Sequence, residues 1–100
     1  MSAYANNRYF RSDDEFTAMS RKLTSYLRTL ARRRTSGTVT ADDVHTFLDR
    51  QGVQPEQVRT RLRFINTVFN SNSEYFSSAG QTRSTRPSAR GRMISTWARA

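Results

Sequence analysis

Glycine and proline divide the first 70 residues into three short segments with helical periodicity. Gly37 separates the first segment from the second, and Gly52 with Pro55 separates the second from the third. Because these residues end or begin helices, none of the three segments is expected to continue into the next. The whole chain has 100 residues, which makes one domain just large enough for a core. A small helical domain with tight turns is therefore predicted.

The first segment is predicted to be an amphipathic helix that follows an N-terminal arm. Residues 1–11 have no clear period, and the domain is assigned to 12–100. Ser12 and Glu15 have the spacing of a capping box, so the helix is expected to run from Ser12 to about Arg33. Its apolar residues follow at intervals of three and four, as in an amphipathic helix: Phe16, Met19, Leu23, Tyr26, Leu27 and Leu30.

The second and third segments complete a three-helix core. Thr38–Thr40 is long enough for a minimal strand, and Thr40 caps a second helix that ends before Gly52. Pro55 suits the first position of a third helix, which is expected to reach about Asn70. Arg61 is placed at the edge of its apolar face. The predicted core consists of Phe16, Leu23, Leu27, Leu30, Val44, Phe47, Leu48, Leu62, Ile65 and Phe69.

A β-hairpin is predicted after the third helix. Residues 74–78 and 93–97 carry β-branched, aromatic and other apolar side chains typical of strands. Between them, residues 79–91 are rich in small, polar and turn-forming residues and in arginine. They are predicted to form a long, exposed loop that is mobile without a ligand. The predicted fold class is α+β, mainly α, with three helices and a C-terminal hairpin.

The order of these elements resembles the winged helix-turn-helix family over about residues 15–98. The stretch TVTADDVHTFLDRQGVQPEQVRTRLRFINTVFN resembles the first strand, the supporting helix and the recognition helix. EYFSSAGQTRSTRPSARGRMISTW resembles the wing hairpin. A small basic chain with such a wing is similar to winged-helix proteins encoded by bacteriophages. The resemblance implies a DNA-binding protein of the cytoplasm, which is that of a bacterial host if a phage encodes it. Its process would be transcriptional regulation or phage genome metabolism.

Positive charge is concentrated in the last part of the chain. Residues 59–100 hold eight arginines and one acidic residue, Glu74, which gives this part a net charge of +7. Residues 1–58 have a net charge of only +2. A field of one sign on one part of a small domain attracts polyanions. The planar fork of arginine also pairs with phosphate and with guanine in a way that lysine cannot.

The resemblance implies that the third helix enters the major groove of double-stranded DNA and that the wing holds the backbone. Arginine can read guanine and asparagine can read adenine through paired hydrogen bonds. Carried over by position, the candidate DNA-binding residues are Arg59, Thr60, Arg63, Asn66, Thr67 and Asn70 on the helix, and Arg83, Arg86, Arg90 and Arg92 on the wing. Many winged helices also form dimers, and Tyr4, Tyr9 and Phe10 of the arm suit a homodimer interface.

Other interpretations of the same arginines stay open. The helix arginines could form a solvated face, and the wing arginines could belong to a disordered basic segment. A small basic protein of viral type could instead bind an acidic host protein and inhibit a transcription or replication enzyme. A structural nucleoid or packaging protein would bind DNA without any sequence preference. Salt-dependent binding to duplex DNA, in competition with an acidic protein, discriminates among these hypotheses.

Nothing in the sequence predicts an enzyme, a cofactor or a metal. The chain has no cysteine, which excludes disulfides and thiolate sites and is compatible with the cytosol. His45 lies near Asp42, Asp43 and Asp49, but adjacent acids at a helix start are typical of capping residues. No apolar run reaches the roughly 20 residues of a membrane span. The N-terminus also lacks the apolar stretch of a secretory signal.

Overall fold

The computed structural model describes residues 13–100 and confirms the predicted α+β class. Three helices and a three-stranded antiparallel sheet are arranged in a layout consistent with a winged helix. The elements are α1 (Asp13–Arg33), β1 (Thr38–Thr40), α2 (Ala41–Arg50), α3 (Val58–Ser71), β2 (Phe76–Arg83) and β3 (Met93–Arg99), with a 3-10 turn at Pro87–Ala89. The predicted arm and the Ser12 cap lie outside the described residues.

The sheet joins the hairpin to the helices through its central strand. The strand order is β1-β3-β2, and both pairings are antiparallel. Thr38 of β1 pairs with Ala98, while Phe76 of β2 pairs with Arg99. A bulge between Ser78 and Gln81 places Gly80 at φ +85°, a conformation that favours glycine. The base of the hairpin is therefore fixed to the segment between α1 and α2.

Both strands of the hairpin are longer than the sequence predicted. The prediction ended the first strand at Ser78 and began the loop at residue 79, but β2 continues to Arg83. Strand β3 likewise continues to Arg99. The extra residues of β2, 79–83, are all exposed and include no large apolar side chain, so they carry no apolar pattern. Cross-strand backbone pairing needs no apolar side chains, which is why the pattern underestimated the strands.

The core is built around aromatic contacts between layers. Phe16 of α1 stacks on Phe64 of α3 with ring centroids 4.4 Å apart. Phe69 of α3 stacks on Trp97 of β3 at 3.6 Å. The buried apolar residues are Phe16, Leu23, Leu27, Ala31, Val39, Ala41, Val44, Phe47, Leu48, Val53, Phe64, Val68, Phe69 and Phe76. Most of the predicted core is confirmed, and Leu30 and Ile65 are half-buried at its edge.

Helix α3 is rotated relative to the prediction. Leu62 was predicted to be in the core, but it is 51% exposed. Arg61, Phe64 and Val68 point inward instead. At about 100° per residue, the apolar residues of the helix span nearly half of its circumference, with Phe64 at one edge and Leu62 at the other. Periodicity alone therefore left either edge free to face the core. The prediction of a buried Leu62 was wrong because the side containing Arg61 faces α2.

Helix α3 also begins later than predicted. Pro55 was expected at its first position, whereas the helix begins at Val58. The N–H of Gln57 donates to the carbonyl of Gln54 at 3.0 Å, which closes a turn around Pro55. Proline suits this turn as well as it suits a helix start, so the residue type did not separate the two cases.

Replacing Leu62 with alanine is expected to lower the free energy of unfolding by less than about 1 kcal/mol. Half of the side chain is already in water, and substitutions at such surface positions have small effects. Urea denaturation of both proteins measures the difference. A loss above about 2 kcal/mol, the range for a buried leucine, would contradict the rotation of α3.

Candidate nucleic-acid interface

One side of α3 forms an exposed surface, which we call the outer face. At about 100° per residue its members occupy one continuous arc of the helix. They are Val58, Arg59, Leu62, Arg63, Asn66 and Asn70. Helix α3 contains two outer-face arginines and no acidic residue. Thr67 is half-buried at the border of this arc. The outer face therefore presents positive charge and amide groups toward solvent.

Thr60 does not lie beside the outer face. It was predicted to flank the groove-facing arginines, but the structure buries it, with only 6% of its surface exposed. Thr60 follows Arg59 directly, and one residue turns the helix by about 100°. This step carries its side chain toward the protein interior, so the prediction for Thr60 was wrong.

The connection between β2 and β3, residues 84–92, is called the wing loop. It is shorter than the predicted segment 79–91 and has internal backbone bonds. The N–H of Ser84 donates to the Arg92 carbonyl at 2.8 Å, and the N–H of Gly91 donates to the Ser84 carbonyl at 3.1 Å. These bonds continue the ladder of the hairpin into the loop. The wing loop therefore has a defined conformation.

Asp42 anchors the wing loop to the first turn of α2. The hydroxyl of Ser84 donates to Oδ1 of Asp42 at 2.8 Å, and the N–H of Thr85 donates to Oδ2 at 2.9 Å. Ser84 is buried at this contact. Hydrogen bonds to an ionised carboxylate are stronger than neutral ones. Asp42 therefore fixes the position of the wing loop relative to α2, and through α2 relative to α3.

The four wing arginines have different environments. Arg83, Arg90 and Arg92 are exposed, and Nη1 of Arg83 donates to the Gly91 carbonyl at 3.3 Å. Arg86 differs because its Nη2 pairs with Oδ2 of Asp49 at 2.9 Å and only 21% of its side chain is exposed. Three of the four arginines predicted to contact phosphates are therefore exposed at the surface. Arg86 is turned toward α2, where it supports the loop.

A buried arginine holds α2, α3 and the turn between them together. Arg61 is 3% exposed, although its stem was expected only to cover the edge of the core. Its Nη2 donates to Oδ1 of Asp49 and to the Val53 carbonyl, both at 2.6 Å. Its Nη1 donates to Nδ1 of His45 at 3.0 Å, and its Nε donates to the Gln54 carbonyl at 3.4 Å. This network fixes how α3 is oriented.

Arg61 contributes to the pKa shifts of its two ionisable partners, His45 and Asp49. Burial, followed by the charges of Arg61 and Arg86, lowers the pKa of His45 below its ordinary value. A neutral His45 that accepts at Nδ1 carries its proton on Nε2. Burial opposes ionisation of Asp49, but hydrogen bonds from Arg61 and Arg86 outweigh it and lower the pKa of that carboxyl. The group around His45 is therefore a structural network.

Asp43 is also satisfied inside the protein. It accepts two hydrogen bonds of 2.7 Å from Arg34, and the backbone N–H of Thr40 donates to it at 2.8 Å. The hydrogen bond with Asp43 raises the pKa of Arg34. Each carboxylate of α2 thus has partners of its own. Among residues 13–100, no group of three possible metal ligands is placed to hold an ion.

A groove separates the start of α3 from the wing loop. Its volume is about 330 Å³, and Val58, Leu62, Ala89, Arg92 and Ile94 are among the residues that line it. The outer face and the wing loop therefore border the same depression and form one surface. The apolar members of the outer face were not predicted, because Leu62 was assigned to the core and Val58 lies one turn before it on the same side of α3. The sequence feature that could have indicated the correct inner side of α3 was its second apolar row, formed by Phe64 and Val68.

No family model, curated protein or solved structure matches this chain. The fold and the surface described above therefore carry the functional argument. No helix in the described part of the chain is long and apolar enough to cross a membrane.

Proposed function

We propose that this chain is a winged-helix protein that binds double-stranded DNA. The outer face of α3 would enter the major groove, and the wing loop would lie along the phosphate backbone. The observation that carries the proposal is that three exposed arginines on this side of the described chain are free of acidic partners, while nearby carboxylates are already paired. Arg59, Arg90 and Arg92 have no ion pair within residues 13–100, whereas Asp43 and Asp49 are held in internal ion pairs. Exposed arginines without acidic partners attract a polyanion.

The dimensions and chemistry of α3 suit direct contact with bases. Its 14 residues correspond to a length of roughly 21 Å. The major groove is about 12 Å wide and admits one helix. Arg59 and Arg63 have the donors for guanine, and Asn66 has the paired donor and acceptor for adenine. These residues would read sequence, while phosphate contacts would fix the position of the protein.

The end of β2 and the wing loop supply the backbone contacts in this proposal. Arg83, Arg90 and Arg92 are exposed on the hairpin or its loop. Because Asp42 holds the loop against α2, these arginines need little ordering before they bind. A site that is ordered in advance loses less entropy on binding. A regulator of this kind would act on DNA in the cytoplasm, that of a bacterial host if a phage encodes it.

An acidic host protein is the alternative partner for the same arginines. The amides of Asn66 and Asn70 favour DNA because they are one helical turn apart on the outer face and match the hydrogen-bonding edge of adenine. A titration of duplex DNA over a range of salt concentrations, with polyglutamate as competitor, separates the two partners. Duplex binding that weakens steeply with salt is expected for DNA. Failure to bind any duplex at low salt would overturn the proposal.

Asn66→Ala is expected to lose roughly 1–3 kcal/mol of binding free energy on a preferred DNA site. The substitution removes one base contact and leaves the phosphate contacts in place. Affinity for random duplex should therefore fall much less, which provides the internal control. The preferred site comes from selection out of a random DNA pool, and both proteins are then titrated on it. Equal losses on the selected and random duplexes would contradict base readout by Asn66.

A further inference from the structure

The outer face of α3 has an apolar edge that the arginines and asparagines do not explain. Val58 is 58% exposed and Leu62 is 51% exposed. They are four residues apart, so they are neighbours on the helix surface. Only one other large apolar side chain is comparably exposed in the described part of the chain, Met93 on β3 at 50%. Two of the three therefore lie together on one edge of the candidate DNA-binding face.

This apolar edge lies on the side of α3 that faces the wing loop. Val58 and Leu62 line the groove between the helix and the loop, together with Ile94. Asn66 lies one turn beyond Leu62 on the same exposed arc. The rise between residues four apart in a helix is roughly 6 Å. A ligand that contacts Asn66 is therefore within reach of Leu62.

The major groove offers one apolar group, the 5-methyl of thymine. We propose, on the basis of the DNA-binding function above, that Leu62 with Val58 beside it contacts thymine methyl groups and makes the protein prefer thymine at defined positions. The occupant of this edge is duplex DNA because α3 carries exposed arginines and no acidic residue, and the one carboxylate that lines the groove, Asp42, accepts hydrogen bonds from Ser84 and Thr85. The preferred thymine lies within about two base pairs of the base contacted by Asn66, since successive bases are 3.4 Å apart along each strand.

Deoxyuridine provides the test because it lacks only the methyl group of thymidine. Each thymine of the selected site is replaced singly by uracil, and the wild-type protein is titrated on every duplex. Burial of one methyl group predicts an affinity loss of about fourfold at one or two positions, with little change elsewhere. The Leu62→Ala variant should bind the thymine and uracil duplexes about equally at those positions. Val58→Ala is a second variant that leaves the core intact, since Val58 is exposed.

Met93→Ala is the matched control, because Met93 is as exposed as Leu62 but lies on β3. This variant should keep the wild-type ratio of thymine to uracil affinity. The inference is overturned if uracil replacement changes nothing at any position, or if Leu62→Ala and Val58→Ala both keep the wild-type ratio. In either case duplex binding itself would stand. Absence of binding to any duplex would remove the proposed function and the thymine contact together.

Discussion

Arg61→Ala is expected to lower the free energy of unfolding by about 1–3 kcal/mol, the range for buried hydrogen-bonding groups that lose their partner. The guanidinium is buried, and it donates to Asp49, His45 and the carbonyl of Val53. Alanine removes all of these donors and leaves a cavity. A buried carbonyl without a partner adds to the loss. Arg61→Lys should recover only part of the stability, because one ammonium lacks the planar fork.

Arg59→Ala is the matched control for Arg61→Ala. It removes the same side chain from the same helix, but Arg59 is exposed on the outer face. Its effect on stability should stay within about 0.5 kcal/mol. Urea denaturation followed by circular dichroism measures both variants. A loss below about 1 kcal/mol for Arg61→Ala would show that the network does not hold α3 in place.

Replacement of Arg83, Arg90 and Arg92 by alanine is expected to weaken duplex binding by roughly 100–1000-fold near 0.1 M salt. Each phosphate contact releases counterions from DNA, which favours binding. A lost contact therefore lowers the affinity. The slope of log affinity against log salt should become shallower by about 0.9 for each contact, or about 2.7 for three. The loss should be similar for all DNA sequences, because phosphates carry no sequence information. Arg86 is left unchanged because it pairs with Asp49.

A control triple variant separates phosphate contacts from a general loss of charge. Lys22, Arg32 and Arg33 are exposed on α1, and their replacement by alanine changes the net charge by the same amount. This variant should keep most of the salt slope, because these residues are not on the wing or on the outer face. If both triple variants change the slope equally, Arg83, Arg90 and Arg92 make no specific phosphate contacts. An unchanged slope in the folded wing variant would favour the acidic protein partner.

The sequence determined the type and order of the elements. Glycine and proline breaks, together with amphipathic periods, located the three helices and the short strand at Thr38–Thr40. These signals are local, because caps, breaks and periodicity act within a few residues of the chain. The concentration of arginine after residue 58 was likewise visible without a structure. The fold class and the general location of the candidate surface therefore followed from the sequence.

Tertiary structure alone decided which side of α3 faces the core. Local periodicity allowed either Leu62 or Arg61 to point inward, and the usual preference for apolar residues favoured Leu62. Arg61 points inward because Asp49, His45 and Val53 supply hydrogen-bond acceptors around its guanidinium. Those acceptors come from α2 and the following turn, so no pattern within α3 could indicate them. A buried charge depends on partners from distant segments, and only the folded chain brings them together.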